Sequence, residues 1–242
     1  YDGTNYHGWQ VQDNAVSVQE VLNKALTTIL RAPIETTGCG RTDTGVHAKE
    51  FFAHFDLQSM VDGPWAMDKI RSINAILPND IAVKRIISVH ADAHARFDAV
   101  LRSYEYHAHF EKDPFKINHS WELRDTPDIA LMNEAAAIIM EYFDFSCFSK
   151  SNTQTLTNNC KISKAEWVYE GNSLVFHISA DRFLRNMVRA IVGTLMMVGK
   201  KEIKPEEVRG IIESKNRSNA GTSVPACGLY LTEVKYAFPL TP

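Results

Sequence analysis

Residues 161–198 read KISKAEWVYEGNSLVFHISADRFLRNMVRAIVGTLMMV, and this stretch decides the fold class. Lys161 to Tyr169 and Ser173 to Ala180 alternate as strands do, and Glu170-Gly171-Asn172 between them is a hairpin-type turn. From Arg182 to Val198 the period changes. Phe183, Leu184, Met187, Val188, Ile191, Val192 and Leu195 recur at helical spacing, so the reading is an amphipathic helix directly after a hairpin. Strands followed by a helix, without a strand–helix–strand alternation, indicate an α+β fold.

Working outward, Val100 to Phe110 reads as one long strand and Ile129 to Phe143 as a helix. Pro205 to Ser214 reads as a short helix with proline in its first turn, and Leu229 to Tyr236 as a last strand. Toward the N-terminus, Ser17-Val18-Gln19-Glu20 is a capping box. Behind it, Val18, Val21, Leu22, Ala25, Leu26, Ile29 and Leu30 predict a helix that Pro33 ends. Ile34 to Thr37, Phe51 to Leu57 and Ile81 to His90 are strand candidates, and Pro64 opens a second helix ending before Pro78. Both halves mix helices with antiparallel-looking strands. The boundary is placed near Asp98, giving an N-terminal α+β half over 1–97 and a C-terminal one over 98–242.

Composition narrows the function classes. The 242 residues are 45% hydrophobic and 23% charged, which is ordinary for a globular protein. No apolar run approaches the roughly 20 residues that span a bilayer, and no signal-peptide pattern opens the chain. The first residue is Tyr1, so the segment is expected to begin after the true start. Cys39, Cys147, Cys160 and Cys227 form no C-x-x-C pair; reduced thiols in a cytoplasmic protein are the simplest reading. A net charge of -3 argues against an indiscriminate nucleic-acid binder. It leaves room for a local basic groove, because salt screens charges beyond about 8–10 Å.

Three clusters carry chemistry. The first is Gly38-Cys39-Gly40-Arg41-Thr42-Asp43-Thr44-Gly45-Val46-His47, in which glycines permit tight turns around a carboxylate and a guanidinium. Asp43 could act as nucleophile or base with Arg41 on an anion, or it could be a surface Asp capping its own turn. Asp43-Thr44-Gly45 also mimics an aspartic-protease loop. That chemistry needs two carboxylates sharing a proton, and a cation two residues away works against the shared proton. The second cluster is Arg182, Arg185 and Arg189, which a helix would bring to one face, with Gly193 permitting close approach of another backbone. The alternative is a solvated stripe on a core helix. The third is Arg96-Phe97 with Arg102, Tyr104 and Tyr106, the last three on one strand face. Such a face can hold phosphates and stack a base, or simply lie under a helix. His90 and His94, His107 and His109, complete no recognisable ligand set, so no metal is assigned; Cys147 reads as packing. There is no P-loop, dinucleotide fingerprint or nucleophile elbow.

Together these blocks resemble the TruA-type tRNA pseudouridine synthases from end to end. The matching stretches begin with Tyr1 to Gln10, Ser17 to Glu20, Gly40 to Asp43 and Gly45 to Ala48, followed by Asn74 to Pro78. His94 to Phe97, Arg102 to Tyr106, Phe183 to Arg189 and Gly228 to Leu231 complete the set. The resemblance implies the pseudouridine synthase fold: two related ferredoxin- or RRM-like α+β halves sharing a largely antiparallel sheet with a central cleft. It implies a cytoplasmic homodimer that acts on tRNA, most specifically on uridines 38, 39 and 40 of the anticodon stem-loop, without a cofactor. Asp43 matches the catalytic aspartate, Tyr104 the tyrosine that stacks on the flipped base, and Arg189 the arginine paired with the carboxylate. Leu229 matches an apolar residue lining the base pocket, and Arg41 the arginine beside the nucleophile. A basic cleft is expected from Arg41, Arg96, Arg102, Arg182 and Arg185. Two departures stand out: Thr44 replaces a usual alanine, and the family carries a strand before the residue equivalent to Tyr1. A non-catalytic RNA-binding module of RRM type would explain the aromatics and arginines but gives Asp43 no task. Whether Asp43 attacks C1′, attacks the base or removes a ribose proton is left open by the residues alone.

Overall fold

The structure, a computed structural model, describes residues 1–57, 63–150 and 156–240. It divides into two compact units, Tyr1–Val100 with Val234–Pro242, and Leu101–Glu233.

In the first unit, α1 (Val18–Leu30) starts where the capping box requires, with Ser17 Oγ accepting the Glu20 N–H at 3.2 Å. It ends at Arg31, whose φ of 55° is left-handed. Helix α2 (Gly63–Ile76) packs against it. The core comprises Tyr6, Trp9, Val18, Ala25, Leu26, Ile34, Ile73, Leu77 and Ile81. The strands are minimal: β1 (Thr37–Gly38) pairs antiparallel with β3 (Ala53–His54), and β2 (His47–Ala48) pairs with β8 (Leu229–Tyr236), whose last residues fall in this unit.

Three strand expectations shrink or fail here, and the cause is visible. Ile34 to Thr36 is pinned by α1 side chains instead of a sheet. Asn23 Oδ1 accepts from the Thr36 N–H and hydroxyl at 3.1 and 2.7 Å, Gln19 Nε2 donates to Thr36 O at 2.5 Å, and Thr27 Oγ1 accepts the Ile34 N–H at 3.0 Å. Ile81 to His90 forms no strand. There the Asn74 amide of α2 brackets Val83, accepting its N–H and donating to its carbonyl, both at 2.8 Å. Backbone groups satisfied by side chains have no need of a ladder. Within Phe51 to Leu57 only Ala53–His54 forms a strand, because β1 is two residues long.

The second unit is built on long strands in the order β8, β4 (Ala99–His109), β7 (Ser173–Ala180), β6 (Ile162–Glu170), with β5 (Trp121–Glu122) parallel to β4. β4 with β7 and β6 with β7 are antiparallel, and Tyr104 stands opposite Ile178. The α+β class and the largely antiparallel sheet are borne out. Tyr106, Ala108, Phe176, Ile178, Ala165 and Trp167 are buried on one face. Ser103, Glu105, His107, Lys164, Glu166 and His177 project from the other, only partly buried or exposed. Helices α4 (Met187–Gly199) and α5 (Glu207–Glu213) pack against α3 (Ile129–Ile139), which also lies along β6. Asn133 of α3 bonds both backbone groups of Trp167, at 2.7 and 3.0 Å. Helix α3 stops at Ile139, short of Phe143, because the chain tightens into turns: Glu141 N–H reaches Ile138 O and Tyr142 N–H reaches Ile139 O.

Candidate active site

The loop that carries Asp43 is held by backbone rather than by regular structure. Gly45 N–H donates to Tyr6 O at 3.3 Å, Trp9 N–H to Thr42 O at 3.3 Å, and Val46 N–H to Asp43 O at 3.1 Å. The Tyr1 and Thr42 hydroxyls lie 2.8 Å apart. Two glycines make this approach possible. A Cβ on Gly8, whose φ is +87°, would sit 2.2 Å from Thr42 O, and one on Gly3 would sit 2.0 Å from Val46 O. Trp9 supports the loop's entry, stacked on Phe51 at 4.1 Å and against Gly38. Tyr6 anchors the segment beneath: its hydroxyl donates to Asp80 at 2.5 Å, and burial, then the Asp80 carboxylate, holds that hydroxyl far above its ordinary pKa. The result is a half-buried Asp43 between an exposed Arg41 and an exposed Thr44, so the extra hydroxyl at residue 44 has room.

In the second unit Tyr104 is half-buried on β4, its ring edge-on to Phe183 at 5.1 Å and 88°. Tyr106, two residues on, is buried in the core and donates its hydroxyl to Pro225 O at 2.9 Å. Of the two tyrosines, Tyr106 is packed into the core, while Tyr104 is only half-buried. Arg189 lies in the first turn of α4, with Nε donating to Val224 O at 2.8 Å and Val224 N–H returning to Arg189 O at 3.3 Å. That bond fixes the plane of the guanidinium. The strap from Arg217 to Leu229 is itself tied down. Arg217 donates to Gly221 O and Ser223 Oγ at 3.1 and 2.9 Å, and Gly221 N–H donates to Thr194 Oγ1 at 2.9 Å. A Cβ on Gly193 would lie 1.9 Å from Thr222 O, which is the close approach expected at that glycine. Leu229 is buried where β8 begins.

The expected helix over Arg182 to Val198 is corrected: α4 begins at Met187. Asp181 Oδ1 takes the N–H groups of Lys161 and Arg182 at 2.8 and 2.7 Å, and Asn186 has a left-handed φ of 66°, so the chain turns before it can coil. Arg182 and Arg185 therefore precede the helix, and the three arginines do not share a helical face. Arg102 donates through Nη1 to Asp181 O at 2.9 Å, which places Arg102 and Arg182 on either side of one residue.

The sequence profile described as tRNA pseudouridine synthase matches residues 143–237. A tRNA pseudouridine synthase A of Bacteroides thetaiotaomicron is 50% identical over 239 residues, covering 98% of this chain and 88% of that protein. One of Bacteroides fragilis is 49% identical, covering 98% and 93%. One from the more distant Ruminiclostridium cellulolyticum is 40% identical, covering 98% and 96%. The chain belongs to the tRNA pseudouridine synthase A family.

The residues by which the chain resembles this synthase family are distributed by unit. Arg41, Asp43 and Arg96 belong to the first; Arg102, Tyr104, Arg182, Arg185, Arg189 and Leu229 belong to the second. Arg41, Arg96 and Arg185 are exposed, while Arg102, Arg182 and Arg189 are partly buried. Two participants were missed by sequence reasoning. Phe183 read as core by helical phase, yet it braces Tyr104. Val224, which orients Arg189, carries no signal beyond its neighbouring Pro225. The packing reading of Cys147 is supported: burial pushes its thiol, like that of Cys160, up to about 12.

Proposed function

We propose that this protein isomerises uridine to pseudouridine in tRNA, at positions 38, 39 and 40 of the anticodon stem-loop, with Asp43 as the catalytic carboxylate. The near-full-length likeness to proteins named tRNA pseudouridine synthase A carries the reading. The clamped, half-buried Asp43 loop agrees with it, since a reacting carboxylate needs a fixed position.

The reaction breaks the bond between ribose C1′ and uracil N1, turns the base, and joins C1′ to C5. The C5 proton leaves, and N1 gains one. No electrons are exchanged, so the chemistry calls for no cofactor. The glycosidic bond is hidden in a stacked arm, so the nucleotide must first be flipped out, at a cost of a few kcal/mol. Tyr104, braced edge-on by Phe183, offers the flipped base a stacking surface. Leu229 supplies apolar lining that keeps water from the detached base. By the family resemblance, Arg189 is the arginine assigned to serve the Asp43 carboxylate. Arg41, Arg96, Arg102, Arg182 and Arg185 are assigned to phosphates, so binding weakens with salt. A homodimer in the cytoplasm is the working form proposed.

The test is pseudouridine mapping of an unmodified tRNA transcript incubated with the wild-type protein or Asp43→Asn. New pseudouridine in the anticodon arm is expected with wild type. The variant should bind the transcript normally and react at least about a thousandfold more slowly. Binding without modification by the wild type would overturn the proposal in favour of a binding module.

A further inference from the structure

Phe97 is 74% exposed, yet the four residues from His94 are held as firmly as a core turn. His94 N–H donates to Asp98 Oδ2 at 2.7 Å, and Asp98 N–H returns to His94 O at 3.1 Å. His94 Nδ1 accepts the N–H groups of both Arg96 and Phe97, at 3.1 and 3.2 Å. Ala95 is fixed on both sides, its N–H donating to His54 Nδ1 at 3.0 Å and its carbonyl accepting the Tyr236 hydroxyl at 2.6 Å. The ring itself is propped from behind. The His94 imidazole lies 4.2 Å from it at 32°, and the His54 imidazole meets His94 edge-on at 4.7 Å. The Arg96 guanidinium stands 5.7 Å from the ring centroid.

A lone exposed apolar side chain needs no explanation, but such a side chain is ordinarily free to fold back on its own surface. Here two imidazoles and six hydrogen bonds hold the ring out toward water beside a cation. Holding a ring rigid lowers the entropy lost when something stacks on it. A single aromatic face flanked by a guanidinium is too small for a protein interface, which needs a contiguous apolar patch. It suits an unpaired nucleobase with its adjoining phosphate. The location fits. His54 lies on β3 opposite Thr37 of β1, and β1 runs directly into the loop bearing Arg41 and Asp43.

We propose that Phe97 is a stacking platform for an unpaired base of the substrate RNA near the target uridine, with Arg96 holding the adjoining phosphate. This rests on the function proposed above and adds a contact outside the base pocket. His94 and His54 are positioning residues for it.

The experiment uses an anticodon stem-loop RNA carrying 2-aminopurine at one unpaired position near the target uridine, each loop position in turn, with pseudouridine formation followed in the same RNA. Wild-type protein should quench the probe at one such position. Phe97→Leu, still apolar but without a π face, should lose that quench and raise Kd and KM roughly tenfold. Its kcat at saturating RNA and its Tm should stay near wild type. Phe97→Tyr should behave as wild type. An active wild type whose Phe97→Leu variant keeps both quench and KM would overturn the platform alone. A wild type that forms no pseudouridine in any such RNA would overturn the underlying function instead.

Discussion

The two units position chemistry in opposite ways. In the first, Asp43 rides on a loop between strands of two residues each, and what fixes it is contact with remote backbone: Tyr6, Trp9, and the glycines that admit them. In the second, Tyr104 and Arg189 project from an eleven-residue strand and a thirteen-residue helix whose buried faces form the unit's core. A loop clamped by close backbone approaches places a carboxylate finely but has little to spare if one clamp fails. A sheet-and-helix frame spreads the same task over many apolar contacts. Disturbing the first should therefore damage catalysis before stability, and disturbing the second should damage stability before catalysis.

The largest test of that contrast is an exception to it. Arg189 is in the frame, but its assigned work is electrostatic. Arg189→Leu should lower kcat by on the order of a hundredfold to a thousandfold, a larger effect than its loss of stability, since a charged hydrogen bond such as that to Val224 O is worth about 1.5–3 kcal/mol. A fully active Arg189→Leu enzyme would remove the guanidinium from the mechanism.

The paired glycine variants test the contrast directly. Gly8→Ala would push a Cβ to within 2.2 Å of Thr42 O at a backbone φ of +87°, displacing the residue before Asp43. A shift of about 1 Å at a reacting group costs roughly a hundredfold, so kcat should fall by about that much in the protein that remains folded. Gly193→Ala would set a Cβ 1.9 Å from Thr222 O, inside the buried contact between α4 and its strap. Stability should drop by about 3 kcal/mol in denaturant unfolding, and kcat per folded molecule should fall less than in Gly8→Ala. If Gly8→Ala unfolds the protein as readily as Gly193→Ala does, the two units do not differ in the way described.

The same contrast decides what the sequence reveals. Residues 100–110 and 161–180 were legible as strands because their alternation matches a sheet with one buried face, and the packing enforces it. Ile34 to Thr37 and Ile81 to His90 have equally strand-like composition, but Gln19, Asn23 and Asn74 take their backbone groups, and nothing local announces that. The helical phase ran on through Phe183 and Leu184 because apolar periodicity cannot see Asp181 capping the backbone or Asn186 in a left-handed turn. At the site, the glycine spacing around Asp43 signalled a tight turn. Its clamps, Tyr6 and Trp9, lie more than thirty positions upstream and were visible only as part of a resemblance. Phe97 was legible only as a neighbour of Arg96; its two-imidazole support depends on His54, forty-three positions away.

The smallest expected effect concerns that support. Burial, and next the charge of His94, hold the His54 imidazole below its ordinary value of 6.5, while Asp56 and Asp98 pull weakly the other way. A depressed histidine is protonated more readily in the unfolded chain than in the folded one. Its contribution is therefore whole above about pH 6.5 and is lost as pH falls from there toward the lower folded value. The loss has a structural counterpart, since a proton on Nδ1 would displace the Ala95 N–H that the ring accepts. Asn at residue 54 presents an acceptor near the same place but does not titrate. Between pH 7.5 and 5.5 the wild-type melting temperature should fall further than that of His54→Asn, by about 2 °C. The histidines and carboxylates remote from His54 are common to both proteins and cancel in the comparison. Equal losses would mean that the turn beneath Phe97 tolerates a charged His54, and that this part of the first unit is less tightly built than the loop carrying Asp43.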